Sequence, residues 1–98
     1  MALLIQQKKF LKACAHSLKP VALIGKAGVS SELIKEIDCL LKTHELIKVK
    51  FNAFKDSKKD LAKVISTESG AEQVALLGNI LILYRQQKDS KKRKIKLP

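Results

Sequence analysis

Gly25-Lys26-Ala27-Gly28 follows the apolar run Val21-Ala22-Leu23-Ile24 and precedes a helical pattern that opens at Val29-Ser30-Ser31. Four apolar residues bounded by Pro20 and Gly25 fit a short buried strand and are too few for a helix. The stretch therefore dictates strand, tight loop, helix, and that order belongs to α/β architecture. It also carries chemistry. Glycines let a ligand approach backbone with no Cβ in the way. The unpaired N–H groups of the first helical turn and the positive end of the helix dipole attract an anion. Lys26 adds a full positive charge.

The rest of the chain supplies a scaffold for that unit. Residues 3 to 18 read as an amphipathic helix with Leu4, Leu11, Cys14, Ala15 and Leu18 on one stripe and Phe10 beside it. Pro20 ends it. A second helix runs from about Ser30 to Thr43, with Ser30 as N-cap, Val29 and Ile34 as a hydrophobic staple, and Ile34, Ile37 and Leu41, with Leu33 and Leu40, as the buried face. Leu46 to Phe51 alternates, with Ile47, Val49 and Phe51 on one side and Lys48 and Lys50 on the other, which is a half-buried strand. Residues 56 to 69 form a third helix with Leu61, Val64 and Ile65 inward, ended by Gly70. Glu72–Leu77 and Ile80–Arg85 are strands joined by the two-residue turn Gly78-Asn79. The order α-β-α-β-α-β-β predicts one mixed four-stranded sheet with helices packed on it, largely parallel apart from the final hairpin.

Charge bears on the partner. The chain of 98 residues carries 20 Lys and Arg against 9 Asp and Glu, a net +11. Residues 1–28 hold five lysines and no acid; residues 29–83 are balanced; residues 84–98 hold seven bases and Asp89 alone. Solubility does not require such uneven placement, whereas a polyanionic partner does. Lys8, Lys12, His16 and Lys19 recur at i, i+4 with Lys9 adjacent, so the first helix presents a positive face. The tail, 86–98, reads as a flexible basic arm whose Ile95 and Leu97 dock back on a domain spanning 1–85.

Other classes lose ground on the residues. His16 and His44 have no Cys, Ser or carboxylate partner at catalytic spacing, so no enzyme is expected. A Walker loop would need Lys-Ser/Thr after the second glycine. Cys14 and Cys39 have no metal-ligand spacing and read as reduced core residues, so neither metal nor cofactor is expected. No apolar run reaches membrane-spanning length, and Met1–Gln7 is too short for a signal peptide. A monomeric cytoplasmic protein is the expectation.

Five segments in order then carry a resemblance: Leu18-Lys19-Pro20-Val21, Gly25-Lys26-Ala27-Gly28-Val29, His44-Glu45-Leu46-Ile47-Lys48-Val49-Lys50, Gly78-Asn79, and Leu83-Tyr84-Arg85. The chain resembles the YhbY-like proteins, the bacterial single-domain form of the CRM (chloroplast RNA splicing and ribosome maturation) family. It departs from them at Gln86, where Pro or Gly is common. The resemblance implies a fold similar to the C-terminal domain of translation initiation factor 3. It also implies a GxxG loop like that of KH domains, which clamps nucleic-acid backbone. Further, it implies binding to ribosomal RNA of large-subunit (50S) precursors; an adaptor that binds a ribosomal protein or another structured RNA is the alternative. On this reading RNA meets Gly25, Lys26, Ala27 and Gly28, flanked by Lys8, Lys9, Lys12 and Lys19, with Lys48, Lys50 and Arg85 further out. Aromatics are few and only Phe54 is placed for stacking, so recognition of RNA shape and backbone over base sequence is expected.

Overall fold

Ser30 starts the central helix as its type and position require: in the computed structural model, which describes residues 2–98, its Oγ accepts the N–H of Leu33 at 3.2 Å. Met1, where the expected domain begins, lies outside the described residues. The elements are α1 (Ile5–Ala15), β1 (Ala22–Ile24), α2 (Ser31–His44), β2 (Leu46–Phe51), α3 (Lys58–Ser69), β3 (Glu72–Leu77) and β4 (Ile80–Tyr84), with a 3-10 turn over Lys55–Ser57 ahead of α3. Val29 and Ile34 both pack on the core, as a staple should. Gly70 closes α3 in the left-handed conformation at φ 68°.

The four strands form one mixed sheet in the order β1-β2-β4-β3. β1 and β2 are parallel, with Ala22 opposite Val49 and Ile24 opposite Phe51. β4 is antiparallel to both of its neighbours. The expectation of largely parallel pairing is corrected here. β1, β2 and β3 do run in one direction, as strands joined through helices should. The crossover through α3 carries β3 one strand-width too far to pair with β2, however, and β4 returns from the Gly78-Asn79 turn into the gap. One parallel ladder and two antiparallel ladders result. β3 also bulges between Gln73 and Ala75.

Helices α2 and α3 cover one face of the sheet, where Leu33, Ile37, Leu41, Ala62 and Ile65 meet Ile24, Ile47, Val49, Phe51, Leu81 and Leu83. The opposite face is covered only in part. Leu11 and Ala15 of α1 pack on Leu46, Val74, Ile82 and Tyr84, and Ile95 and Leu97 of the tail join them. Several residues read as core lie outside it. Cys39 is exposed because it points away from the Ile37–Leu41 stripe, and Val64 is exposed because α3 buries Ala62, Ile65 and Ser69 instead. Phe10 is exposed beside the inward Leu11, and α1 spans only Ile5–Ala15, so that Leu4 before it and Leu18 after it are exposed. β1 is buried on one side only: Ala22 and Ile24 face the core while Val21 and Leu23 face out.

Candidate nucleic-acid interface

The carboxyl ends of β1, β2 and β3 lie at one end of the sheet, because the three strands run the same way. In α/β sheets, that is where loops gather and ligands bind. Three connections meet there: Gly25–Ser30 after β1, residues 52–57 after β2, and the Gly78-Asn79 turn after β3. Main-chain bonds weld them together. The N–H groups of Asn52 and Ala53 both donate to the Ile24 carbonyl, at 2.9 and 3.1 Å, and Phe51 N–H donates to the Asn79 carbonyl at 2.8 Å. Lys58 at the start of α3 donates from Nζ to the Gly78 carbonyl at 2.7 Å.

Within this frame Gly25–Gly28 is a tight turn, closed by the Gly28 N–H donating to the Gly25 carbonyl at 3.0 Å. Gly28 has φ +70°, a left-handed backbone that most side chains disfavour. Among the described residues the amides of Lys26 and Ala27 take no hydrogen-bond partner, and both residues are exposed. The first turn of α2 follows two residues later with its own orphan donors. The loop therefore has backbone N–H groups, a helix dipole and the Lys26 ammonium available to an anion. Glu32, in that first turn, is the opposing charge.

The structure distributes the other predicted contacts unevenly. Lys50 lies at the loop end of the sheet, exposed, opposite Leu23 on one side and Ile80 on the other. Lys8, Lys9, Lys12 and Lys19 are exposed on or just beyond α1, against the other face of the sheet, and Lys9, Lys12 and His16 line a shallow groove there. Lys48 has a structural partner: its Nζ donates to the Leu18 carbonyl at 2.9 Å and to that of His16 at 3.4 Å, tying the end of α1 to β2.

Arg85 sits at the far end of the sheet and is held from several sides. Nη1 donates to Asp38 Oδ1 and to the Ser69 carbonyl, both at 2.7 Å, and Nη2 donates to the Asp38 carbonyl at 2.9 Å. The guanidinium joins β4 to α2 and α3. Its hydrogen bond, followed by that of Lys42, holds the Asp38 carboxyl below the ordinary carboxylate range. A cleft of about 860 Å³ opens at this end, where Arg85 and Lys42 pair with Asp38 and Arg93 donates to the Gln87 carbonyl, and Lys88 and Lys92 line it as well.

Two features went unread in the sequence. Phe54 stands against Gly28, with its own backbone left-handed at φ 55°. Glu45, buried at the end of α2, is the anchor of the tail: its carboxylate accepts the N–H groups of Gln87, Lys94 and Ile95. Neither has a residue-type signal, since a positive φ outside glycine is set by tertiary context. Among the described residues no cluster of His, Cys, Asp and Glu is able to hold a metal ion, and no helix is long and apolar enough to cross a membrane.

The family model of the CRS1 / YhbY (CRM) domain matches residues 3–85. The chain belongs to that family. A Haemophilus influenzae relative named "RNA-binding protein" is 42% identical over 94 residues, which cover 95% of this chain and 92% of the relative. The "Probable RNA-binding protein YqeI" of Bacillus subtilis is 37% identical over 94 residues, covering 95% of this chain and 96% of that one. The solution structure of a hypothetical protein from Staphylococcus aureus superimposes with a TM-score of 0.82 at 38% identity, covering 99% of this chain and all of the other. The CRM match stops at Arg85, so the tail that Glu45 anchors lies beyond the matched residues.

Proposed function

We infer that this CRM protein binds RNA and acts, as a non-enzymatic factor, on ribosomal RNA of large (50S) subunit precursors. The observation that carries the binding is the turn at Gly25–Gly28: free amides, a left-handed glycine and Lys26 at the N-terminus of α2, at the end of the sheet where three connections converge. Phosphate suits that arrangement, since its oxygens accept from several backbone N–H groups at once without any side chain reading the base. The names of the relatives in Haemophilus and Bacillus support RNA as the polyanion. The ribosomal assignment follows the family resemblance of the five sequence segments. The α1 lysines and Lys50 widen the basic surface and give the approach its salt dependence.

The test is sedimentation of a cell lysate through a low-salt gradient, comparing the wild type with Gly25→Asp. A Cβ at Gly25 meets no atom within 4 Å, so this substitution brings a carboxylate to the loop at a position with open space for the new side chain. Co-migration with large-subunit particles that is lost in moderate salt and in the variant is the expected result. Equal co-migration of the two proteins would overturn the role of the loop and favour docking on a ribosomal protein. Wild-type protein that stays at the top of the gradient, while still binding RNA when pure, would overturn the ribosomal assignment alone.

A further inference from the structure

Phe54 sits badly by every local criterion and is nonetheless fixed. Its backbone lies in the left-handed region at φ 55° and ψ 36°, which a bulky residue seldom adopts. Its neighbours hold it there. The amides of Asn52 and Ala53 are bound to the end of β1, and the Phe54 carbonyl accepts the N–H of Ser57 at 3.0 Å to start the 3-10 turn. The position is over-determined on both sides, as strained residues at functional sites usually are.

The ring gains little core for this. Phe54 is 48% exposed and belongs to neither hydrophobic cluster. It lies instead on the loop glycine: a Cβ built on Gly28 would come within 3.4 Å of Cε2 and 3.6 Å of Cζ. A Cβ there would only touch the ring in ordinary contact, so it is the positive φ that calls for glycine, while the ring lies flush against the loop backbone. Lys26 shares the four-residue loop with Gly28, Lys55 follows Phe54 in the chain, and Lys58 is tied to the Gly78 carbonyl; Asp56 and Glu32 are the acids on these segments. A half-exposed aromatic beside free amides and lysines suits a ligand with a flat apolar group joined to an anion.

We propose that Phe54 is a base-stacking platform, so that the loop takes an unpaired nucleotide, with its phosphate on Gly25–Gly28 and its base on the ring. This rests on the loop being the RNA contact. It takes up the one aromatic that the sequence offers for stacking and adds a base contact to the expected recognition of backbone and shape. A paired base within a duplex offers no free face, so the site selects single-stranded or looped-out RNA. Selection by stacking tolerates any base, since every base has a π-face.

The test compares binding of a short oligouridylate with binding of an abasic oligomer of equal length at one salt concentration. Loss of a base stack of ~1–3 kcal/mol corresponds to roughly 5- to 150-fold in affinity, so wild type should prefer the oligouridylate by a factor in that range. Phe54→Leu should lose the preference and keep its affinity for the abasic oligomer, whereas Gly25→Asp should weaken binding to both. Phe54→Trp should restore the preference. As the chain has no other tryptophan, its emission should be quenched by oligouridylate and not by the abasic oligomer. A Phe54→Leu protein that still prefers the oligouridylate as wild type does, or a Phe54→Trp emission indifferent to bases, overturns the platform and leaves the loop intact. Unchanged binding of Gly25→Asp to both oligomers overturns the loop reading itself.

Discussion

The carboxylate of Glu45 accepts the backbone N–H of Ile95 at 3.1 Å, a contact across 50 residues of chain. The same oxygen accepts from Lys94, and the other accepts from Gln87 at 2.9 Å, so one buried acid gathers both ends of the bend that turns the tail back. Ile95 and Leu97 then lie against the cluster under α1, and the Gln7 side chain donates to the Pro98 carbonyl at 3.3 Å. The basic tail is thus laid along the domain rather than trailing from it.

Glu45→Ala leaves three backbone donors without their acceptor. Hydrogen bonds to a charged acceptor are each worth about 1.5–3 kcal/mol and are not additive here, so a loss of about 2–4 kcal/mol is expected in urea unfolding. Amide exchange at Gln87, Lys94 and Ile95 should rise with it. Exchange that stays slow at all three would show the apolar contacts of Ile95 and Leu97 to be the true anchor.

Arg85→Ala removes the guanidinium that joins β4 to α2 and α3. A stability loss of about 1–3 kcal/mol is expected, read as a lowered Tm, with RNA affinity of the folded protein unchanged. Arg85→Lys should recover only part of the loss, because one ammonium does not reproduce the fork that reaches Asp38 and Ser69 together. A fall in affinity with no loss of stability would return Arg85 to the RNA surface.

The same pair sets an acid limit. Asp38 is held below its ordinary pKa of 3.8, first by the Arg85 hydrogen bond and then by that of Lys42. A depressed carboxyl contributes stability that is complete above the unfolded value and is lost as pH falls through the folded one. Wild type should therefore lose stability below about pH 4 more steeply than Asp38→Asn, as followed by thermal melts across the acid range. Parallel curves for the two proteins would remove Asp38 from the acid response.

The Tyr84 hydroxyl is buried without a well-formed hydrogen bond among the described residues, the Gln86 side chain being the polar group beside it. Tyr84→Phe is accordingly expected to be neutral or stabilising, since a buried donor without an acceptor carries its desolvation cost uncompensated. A loss above about 1 kcal/mol would reveal a partner for that hydroxyl.

Salt dependence counts the phosphates. Neutralising ~5 of them on single-stranded RNA gives a log–log slope of roughly −3.5, and removing one contact with Lys26→Ala should flatten it by ~0.7. Titrations at several salt concentrations measure both. An unaltered slope would mean that the Lys26 ammonium faces water in the complex.

Elements and their order were legible because each is written in local terms. Ser30 and Gly70 mark helix ends, Gly78-Asn79 marks a turn, and Leu46–Phe51 alternates as a strand. The insertion of β4 was not legible, since pairing partners depend on how far a crossover reaches and the residues of β2 suit either neighbour. Of the candidate site, the loop was visible through its glycines. The seat of Phe54 on Gly28 and the engagement of Arg85 by Asp38 were invisible, because both join segments far apart in sequence.

The place of β4 in the sheet also orders events in time. Of the four strands the one synthesised last, β4, is an inner one, flanked by β2 and β3, so the ribosome must release Ile80–Tyr84 before either antiparallel ladder exists. Until then β1 and β2 form at most a two-stranded ribbon with an open edge, too little to persist alone. Folding must wait for distant partners, which slows it and lengthens the exposure of apolar strands. A nascent chain truncated before β4 should stay protease-sensitive throughout, and protection of the Gly25–Gly28 loop should appear in one step once residue 84 has emerged.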